Sequence, residues 1–196
     1  MIQALYSAAS GVKSQQTNFD VVANNIANMD TVGYKKSTAN FVDALYVALT
    51  DPSDPTSTEN LQQGTGAIVN SISKTYTAGT CTETGRPLDV AISGDEGFFE
   101  VESVNGDVQY TRNGSFTISS EGDNSYLVTG SGEYVLDQNG QKIALQGDLD
   151  KLQIDSTGMM YKNSDTPFAH LAVVNFQNAE GLEAVGDSKY VATAAC

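Results

Sequence analysis

The sequence predicts an α+β chain: a long N-terminal amphipathic helix of coiled-coil type, followed by a mainly antiparallel β domain. Two observations carry this. Ile2, Leu5, Ala9, Val12, Gln16, Phe19, Ala23 and Ile26 recur at alternating spacings of three and four, the a and d positions of a heptad seam. Gln16 is the one polar member. From Ile68 onward, short strand-favouring runs alternate with Gly-, Asn-, Asp- and Ser-rich turns at about 8–12-residue intervals, as in an antiparallel sandwich or barrel.

The helix is expected over Ile2–Met29, with Tyr6, Val22 and Met29 widening the apolar stripe. At 1.5 Å per residue it is about 40 Å long. Asp30-Thr31-Val32-Gly33 ends it, because glycine takes a left-handed conformation at low cost. Residues 38–50 place Phe41, Val42, Leu45 and Leu49 at helical spacings. Their β-branched and aromatic content leaves an extended segment equally open. Residues 51–67 hold two Pro and two Gly and read as a loop or linker. Strands are expected around Ile68–Tyr76, Leu88–Ile92, Phe98–Val104, Val108–Arg112, Ser115–Ser119, Tyr126–Thr129, Tyr134–Leu136, Lys142–Leu145, Leu152–Ile154, Met159–Tyr161 and His170–Phe176. Asn105-Gly106 suggests a two-residue type I′ hairpin turn, with both residues at positive φ. The expected organisation is a helix over 1–36, a connecting helical or extended segment and linker over 37–80, and a β domain over 81–196.

The net charge of −14 is unevenly spread. Residues 1–50 balance Lys13, Lys35 and Lys36 against Asp20, Asp30 and Asp43, so the later residues carry the whole excess. An acidic β part argues against a nucleic-acid partner. The neutral striped helix suits close packing among identical copies. No run approaches 18 apolar residues, the scale of a membrane span. The N-terminus lacks a basic region and a continuous apolar core, so export is expected to proceed without a cleaved signal.

Chemistry-bearing groups form no constellation, and neither a cofactor, a metal nor a small-molecule substrate is expected. Cys81 and Cys196 lie far apart without a C-x-x-C pattern. His170 is the single histidine and has no acidic partner at ligand spacing. Asp95 and Glu96, or Asp148, Asp150 and Asp155, are nominal carboxylate pairs for glycoside cleavage. Among 24 acids, such proximity carries no weight. Asn24, Asn25 and Asn28 fall at b, c and f, opposite the seam. Asparagine is a poor residue inside a helix. Either they form a solvated face at a weakening last turn, or that face meets neighbours through amide hydrogen bonds.

The motifs Leu5–Gly11, Gln15–Asn28 and Thr31–Lys35 are similar to the N-terminal signature of the bacterial flagellar rod and hook protein family. Further matches follow in order: Gly85–Ile92 with Gly97-Phe98-Phe99, Tyr110–Phe116, Leu127–Thr129, Ile154-Asp155 with Gly158, Asn175-Phe176 through Leu182, and Gly186 with Tyr190–Ala195. The chain's size and its 80–196 region most resemble the distal-rod branch, with the proximal rod next and the larger hook proteins further off.

The resemblance implies a non-enzymatic axial building block of the basal body. Such a block is exported unfolded through the flagellar type III apparatus and stacks helically with copies of itself. Its partners would be other rod and hook proteins, with ring bushing proteins around them. Leu5, Ala9, Val12, Phe19, Ala23 and Ile26 would pack the inner tube. Asn24, Asn25 and Asn28 would make back-face contacts, and Gly33 would set the turn out of the helix. The family continues past Tyr190–Thr193 into a C-terminal amphipathic helix, whereas this sequence ends at Cys196, which suggests truncation. Residues 1–34 are then expected to be poorly ordered, or helical only through other chains. The alternative class is a secreted β-rich binding module or adhesin, which would have no use for a heptad seam.

Overall fold

The structure is a computed structural model that describes residues 2–48, 62–122, 124–145, 152–162 and 166–196. Leu49, Asp148, Asp150 and most of the expected 51–67 loop lie outside the described residues. The chain divides into two compact units, Met1–Met29 with Lys36–Thr75, and Asp30–Lys35 with Tyr76–Cys196.

The first unit holds helix α1 (Ile2–Ala27) and strands β1 (Ser37–Asp43), β2 (Tyr46–Ala48), β3 (Gln62–Gly64) and β4 (Ala67–Lys74). The α1 segment has no proline and a single glycine, Gly11, so propensity does not oppose it. Of the alternatives open over residues 38–50, the described residues 38–48 take the extended one, and Gln62–Gly64 is a strand within the expected loop. β1 pairs antiparallel with β4, from Ser37↔Lys74 to Asp43↔Ala67, with a bulge at Asn40/Phe41. β2 pairs with β3. The expectation that residues 1–34 would depend on another chain is corrected, because α1 lies against β1 and β4 of its own chain.

The second unit holds β5 (Phe98–Glu102), β6 (Val108–Thr111), β7 (Phe116–Glu121), β8 (Asn124–Thr129), β9 (Tyr134–Val135), β10 (Ala144–Leu145), β11 (Leu152–Ile154), β12 (Met159–Lys162), β13 (Pro167–His170), β14 (Val173–Val174), β15 (Glu183–Gly186) and β16 (Lys189–Val191). Among the described residues these form a nine-stranded sheet, ordered β10-β8-β9-β5-β6-β16-β15 with β7 on β8 and β14 on β5, and a three-stranded sheet β11-β12-β13. All the pairings are antiparallel.

Successive residues of a strand point to opposite faces, and Phe98 and Phe99 show the consequence. Phe99 joins Val101, Phe116, Leu127, Val135, Leu152, Met160 and Leu171 in the main core. Phe98 joins Leu182 and Tyr190 in a second cluster, against Tyr76, Tyr110 and Phe176. Ring centroids in that cluster lie 4.8–5.7 Å apart in edge-on geometry, the arrangement favoured by aromatic quadrupoles.

Three local expectations change. Leu88–Ile92 is not a strand. Asp89 makes one bridge to Ser115, and the Val90 N–H donates to Gly114 O at 3.0 Å. His170 ends β13 rather than opening a strand. Asn105-Gly106 is not a type I′ turn, since Gly106 alone is left-handed (φ +88°). Gly106 N donates to Ser103 O, and Ser103 N to Asp107 O, the pattern of a type I turn followed by a glycine bulge. The left-handed pair sits instead at Asp187 and Ser188, between β15 and β16.

Candidate assembly surface

α1 has two contrasting faces. The first runs along Gln3, Ser7, Ser10, Ser14, Thr17, Val21, Asn25 and Asn28, each buried or half-buried. Small side chains let the helix approach the hairpin closely. Ser14 Oγ donates to Ala67 O at 2.9 Å. A Cβ on Gly66 would collide with Ser10 Oγ. The Asn25 amide is matched to the backbone of one residue: Nδ2 donates to Ser37 O at 2.8 Å, and the Ser37 N–H donates to Oδ1 at 2.9 Å.

The second face is the heptad seam. Leu5 (72% exposed), Val12, Phe19 (73%) and Ile26 all stand open, with Tyr6, Val22 and Met29 beside them. Ala9 and Ala23 are also exposed. Ala8, Gly11, Val12, Gln15, Gln16 and Phe19 outline a shallow depression along the helix. Each large side chain would gain about 1.5–3 kcal/mol on full burial. A contiguous apolar strip of this kind marks an interaction surface.

The structure therefore separates the residues that the sequence grouped as packing residues. Leu5, Ala9, Val12, Phe19, Ala23 and Ile26 share the open face. Asn25 is engaged with Ser37 of its own chain. Asn28 Nδ2 reaches Asn24 O at 2.9 Å and Asn24 Oδ1 at 2.8 Å, bracing the last turn. Gly33 has φ +72°, and a Cβ there would lie 2.8 Å from Asn113 N. Sequence reasoning missed the small polar seam. Its signal is the three-and-four spacing of Ser7, Ser10, Ser14, Thr17 and Val21, a mostly polar row that a search for apolar periodicity passes over.

Carboxylates and the histidine have structural partners. Asp95 Oδ1 accepts the Ala78 N–H, Glu96 Oε2 accepts Asn175 Nδ2 at 2.6 Å, and Asp155 Oδ1 accepts the Ser156 N–H at 2.6 Å. His170 Nε2 lies 2.7 Å from Thr157 O. Cys81 is exposed, and Cys196 packs against the second aromatic cluster; both are free thiols. Among the described residues no group of three His, Cys, Asp or Glu could hold a metal ion. No helix among them is long and apolar enough to cross a membrane.

A turn-rich β unit, together with a helix that presents an open heptad seam, is the build of a structural subunit. Comparison with known proteins gives this class a family. Residues 5–35 match the model for flagella basal body rod proteins, and residues 91–162 match the model for the flagellar hook protein FlgE/F/G D1 domain. The chain is 35% identical to the flagellar basal-body rod protein FlgG of Bacillus subtilis, across 97% of this chain and 73% of that protein. Identity to FlgG of Agrobacterium fabrum is 34%, across 99% of this chain and 75% of that protein. The flagellar hook protein FlgE of Borreliella burgdorferi is 38% identical, but over 62% of this chain and 28% of its own length. The chain belongs to the flagellar rod and hook protein family, as a structural subunit of the basal-body rod.

Proposed function

We propose that the subunit is non-catalytic and stacks helically with copies of itself in the distal part of the rod, as a segment of the drive shaft between motor and hook. The open seam of α1 carries this reading. Leu5, Ala9, Val12, Phe19, Ala23 and Ile26 pack inside the tube, where crowding by neighbouring helices removes them from water. Asn24 and Asn28 lie at the end of that helix and contribute polar contacts there. Asn25 serves the subunit's own hairpin, and Gly33 turns the chain away from the helix. The chain reaches the rod through the flagellar type III apparatus, adjoins other rod and hook proteins, and turns within ring bushing proteins. The near-complete match to rod proteins, against the partial match to a hook protein, supports a rod position.

Phe19→Asp tests the packing. It places a charge where the tube closes, but leaves the small polar face untouched. We expect the variant to fold and to be absent from purified basal bodies; normal incorporation would refute the reading. Electron microscopy of basal bodies from a deletion strain tests the position. A rod that stops short of the hook but retains its proximal segment is the expected result.

A further inference from the structure

The Tyr110–Phe116 stretch organises the turn that follows the helix. Arg112 makes no salt bridge within 4 Å among the described residues. Its guanidinium is wrapped by carbonyls instead, with Nε to Gly97 O at 2.8 Å, Nη1 to Gly94 O at 3.2 Å, and Nη2 to Asp95 O. It also stands 5.2 Å from the centre of the Phe98 ring. Five donors in a fixed plane suit this task, because one side chain can gather several backbone acceptors. The gathered loop has a second end. Asp95 Oδ1 accepts the N–H of Ala78. The preceding carbonyl, Thr77 O, accepts Lys35 Nζ at 2.6 Å. Lys35 is only 8% exposed, and a buried ammonium needs such a partner.

The path then returns to its start. Gly33 leans on the backbone of Arg112 and Asn113, leaving no room for a Cβ. Val32 O accepts Ser188 Oγ at 3.3 Å, and Ser188 O accepts Thr111 Oγ1 at 3.0 Å. Thr111 Oγ1 also accepts the Asn113 N–H at 3.1 Å. Three consecutive residues, Thr111, Arg112 and Asn113, thus touch both ends of a closed ring of contacts.

We propose that Thr111–Asn113 is the seat of the Asp30–Lys35 turn, with Arg112 and Lys35 as its positioning residues. Arg112 acts through the 94–97 loop, which holds Thr77 and Ala78 where Lys35 can reach them. Lys35 acts directly and fastens the end of the turn. The same glycine that reverses the chain makes the seat's closest backbone contact, so the turn has one conformation rather than several. Every contact in this seat lies within a single chain and so exists before any assembly.

Amide hydrogen exchange on the full chain tests it. Arg112→Met should speed exchange over Thr31–Lys35 by roughly tenfold, as expected for losing hydrogen bonds that hold a local opening shut. Residues 77–78 and 94–97 should accelerate with them, while Phe116–Thr129 keep their rates. Lys35→Met should accelerate Thr31–Lys35 but leave 94–97 unchanged, since Lys35 lies at the far end of the path. Arg112→Lys keeps a charged donor and should recover part of the protection. The proposal is overturned if Arg112→Met loosens only 94–97, or loosens all segments alike. If Arg112→Met does not fold, Lys35→Met and Ser188→Ala decide the matter, and wild-type exchange over Thr31–Lys35 in both would overturn the proposal.

Discussion

Asp187 and Ser188 hold φ of 52° and 55°, which costs non-glycine residues roughly 1–2 kcal/mol each. Neighbouring side chains offset that strain. Ser131 Oγ donates to Asp187 Oδ2, Lys189 Nζ lies 3.5 Å from the same oxygen, and Thr111 binds Ser188 O. Lys189 also pairs with the buried Glu133, whose carboxylate accepts Thr129 Oγ1 as well. Burial alone would raise the Glu133 pKa, but the bonds from Lys189, Thr129 and its own backbone outweigh it and hold the carboxyl below its ordinary 4.5. A depressed folded pKa gives stability that is complete above the unfolded value and is lost as pH falls through the folded one. Urea midpoints should therefore decline on acidification below about pH 4.5, with Glu133 contributing. Lys189→Met leaves that carboxylate without its cation and should cost about 3 kcal/mol near neutral pH, read by urea unfolding. Gly33→Ala combines a left-handed φ with a backbone collision and should cost about 1–3 kcal/mol, read the same way.

At the scale of the element, α1 shows why an apolar stripe does not identify its own partner. The periodicity places a helix over Ile2–Met29, and the observed limits, Ile2–Ala27, differ only at the last two residues, which form a turn. The intramolecular contact nevertheless uses the face rich in serine, threonine and asparagine. Short polar side chains permit close approach and satisfy the hairpin's backbone groups, which larger apolar residues could not do. Asn25→Ala removes both bonds to Ser37 and should cost about 1–2 kcal/mol. Faster amide exchange in the C-terminal half of α1 would report it. The turns carry a parallel lesson. Asn-Gly at 105–106 predicts a two-residue turn, but loop length decides the turn type, and that length depends on where β5 and β6 stop pairing. The Asp187-Ser188 turn had no glycine at either centre to announce it, and it exists because side chains distant in sequence stabilise it.

For the whole molecule, the two units differ in how they are held. Among the described residues of the first unit, Val21 is the only buried apolar side chain; the second contains two buried clusters. Hydrophobic burial dominates folding free energy, so the units should not open together. Native-state hydrogen exchange should show α1 amides exchanging before those of β5 to β8, and by a large factor. Equal protection across both would contradict this account. The acidic excess belongs to the later part of the chain, whereas residues 1–50 carry no net charge.

The sequence by itself determined the helix, its apolar seam, the run of antiparallel strands and the family, because periodicity and ordered motifs are local properties of the chain. Tertiary structure alone decided which helix face is spent within the subunit, that residues 38–48 are extended, where the left-handed turn falls, and which residues seat the Asp30–Lys35 turn. Each of these depends on groups far apart in sequence, such as Ser14 with Ala67, Lys35 with Thr77 and Thr111 with Ser188. Hydrogen bonds of that range leave no period in the chain, and only folding brings their donors to their acceptors.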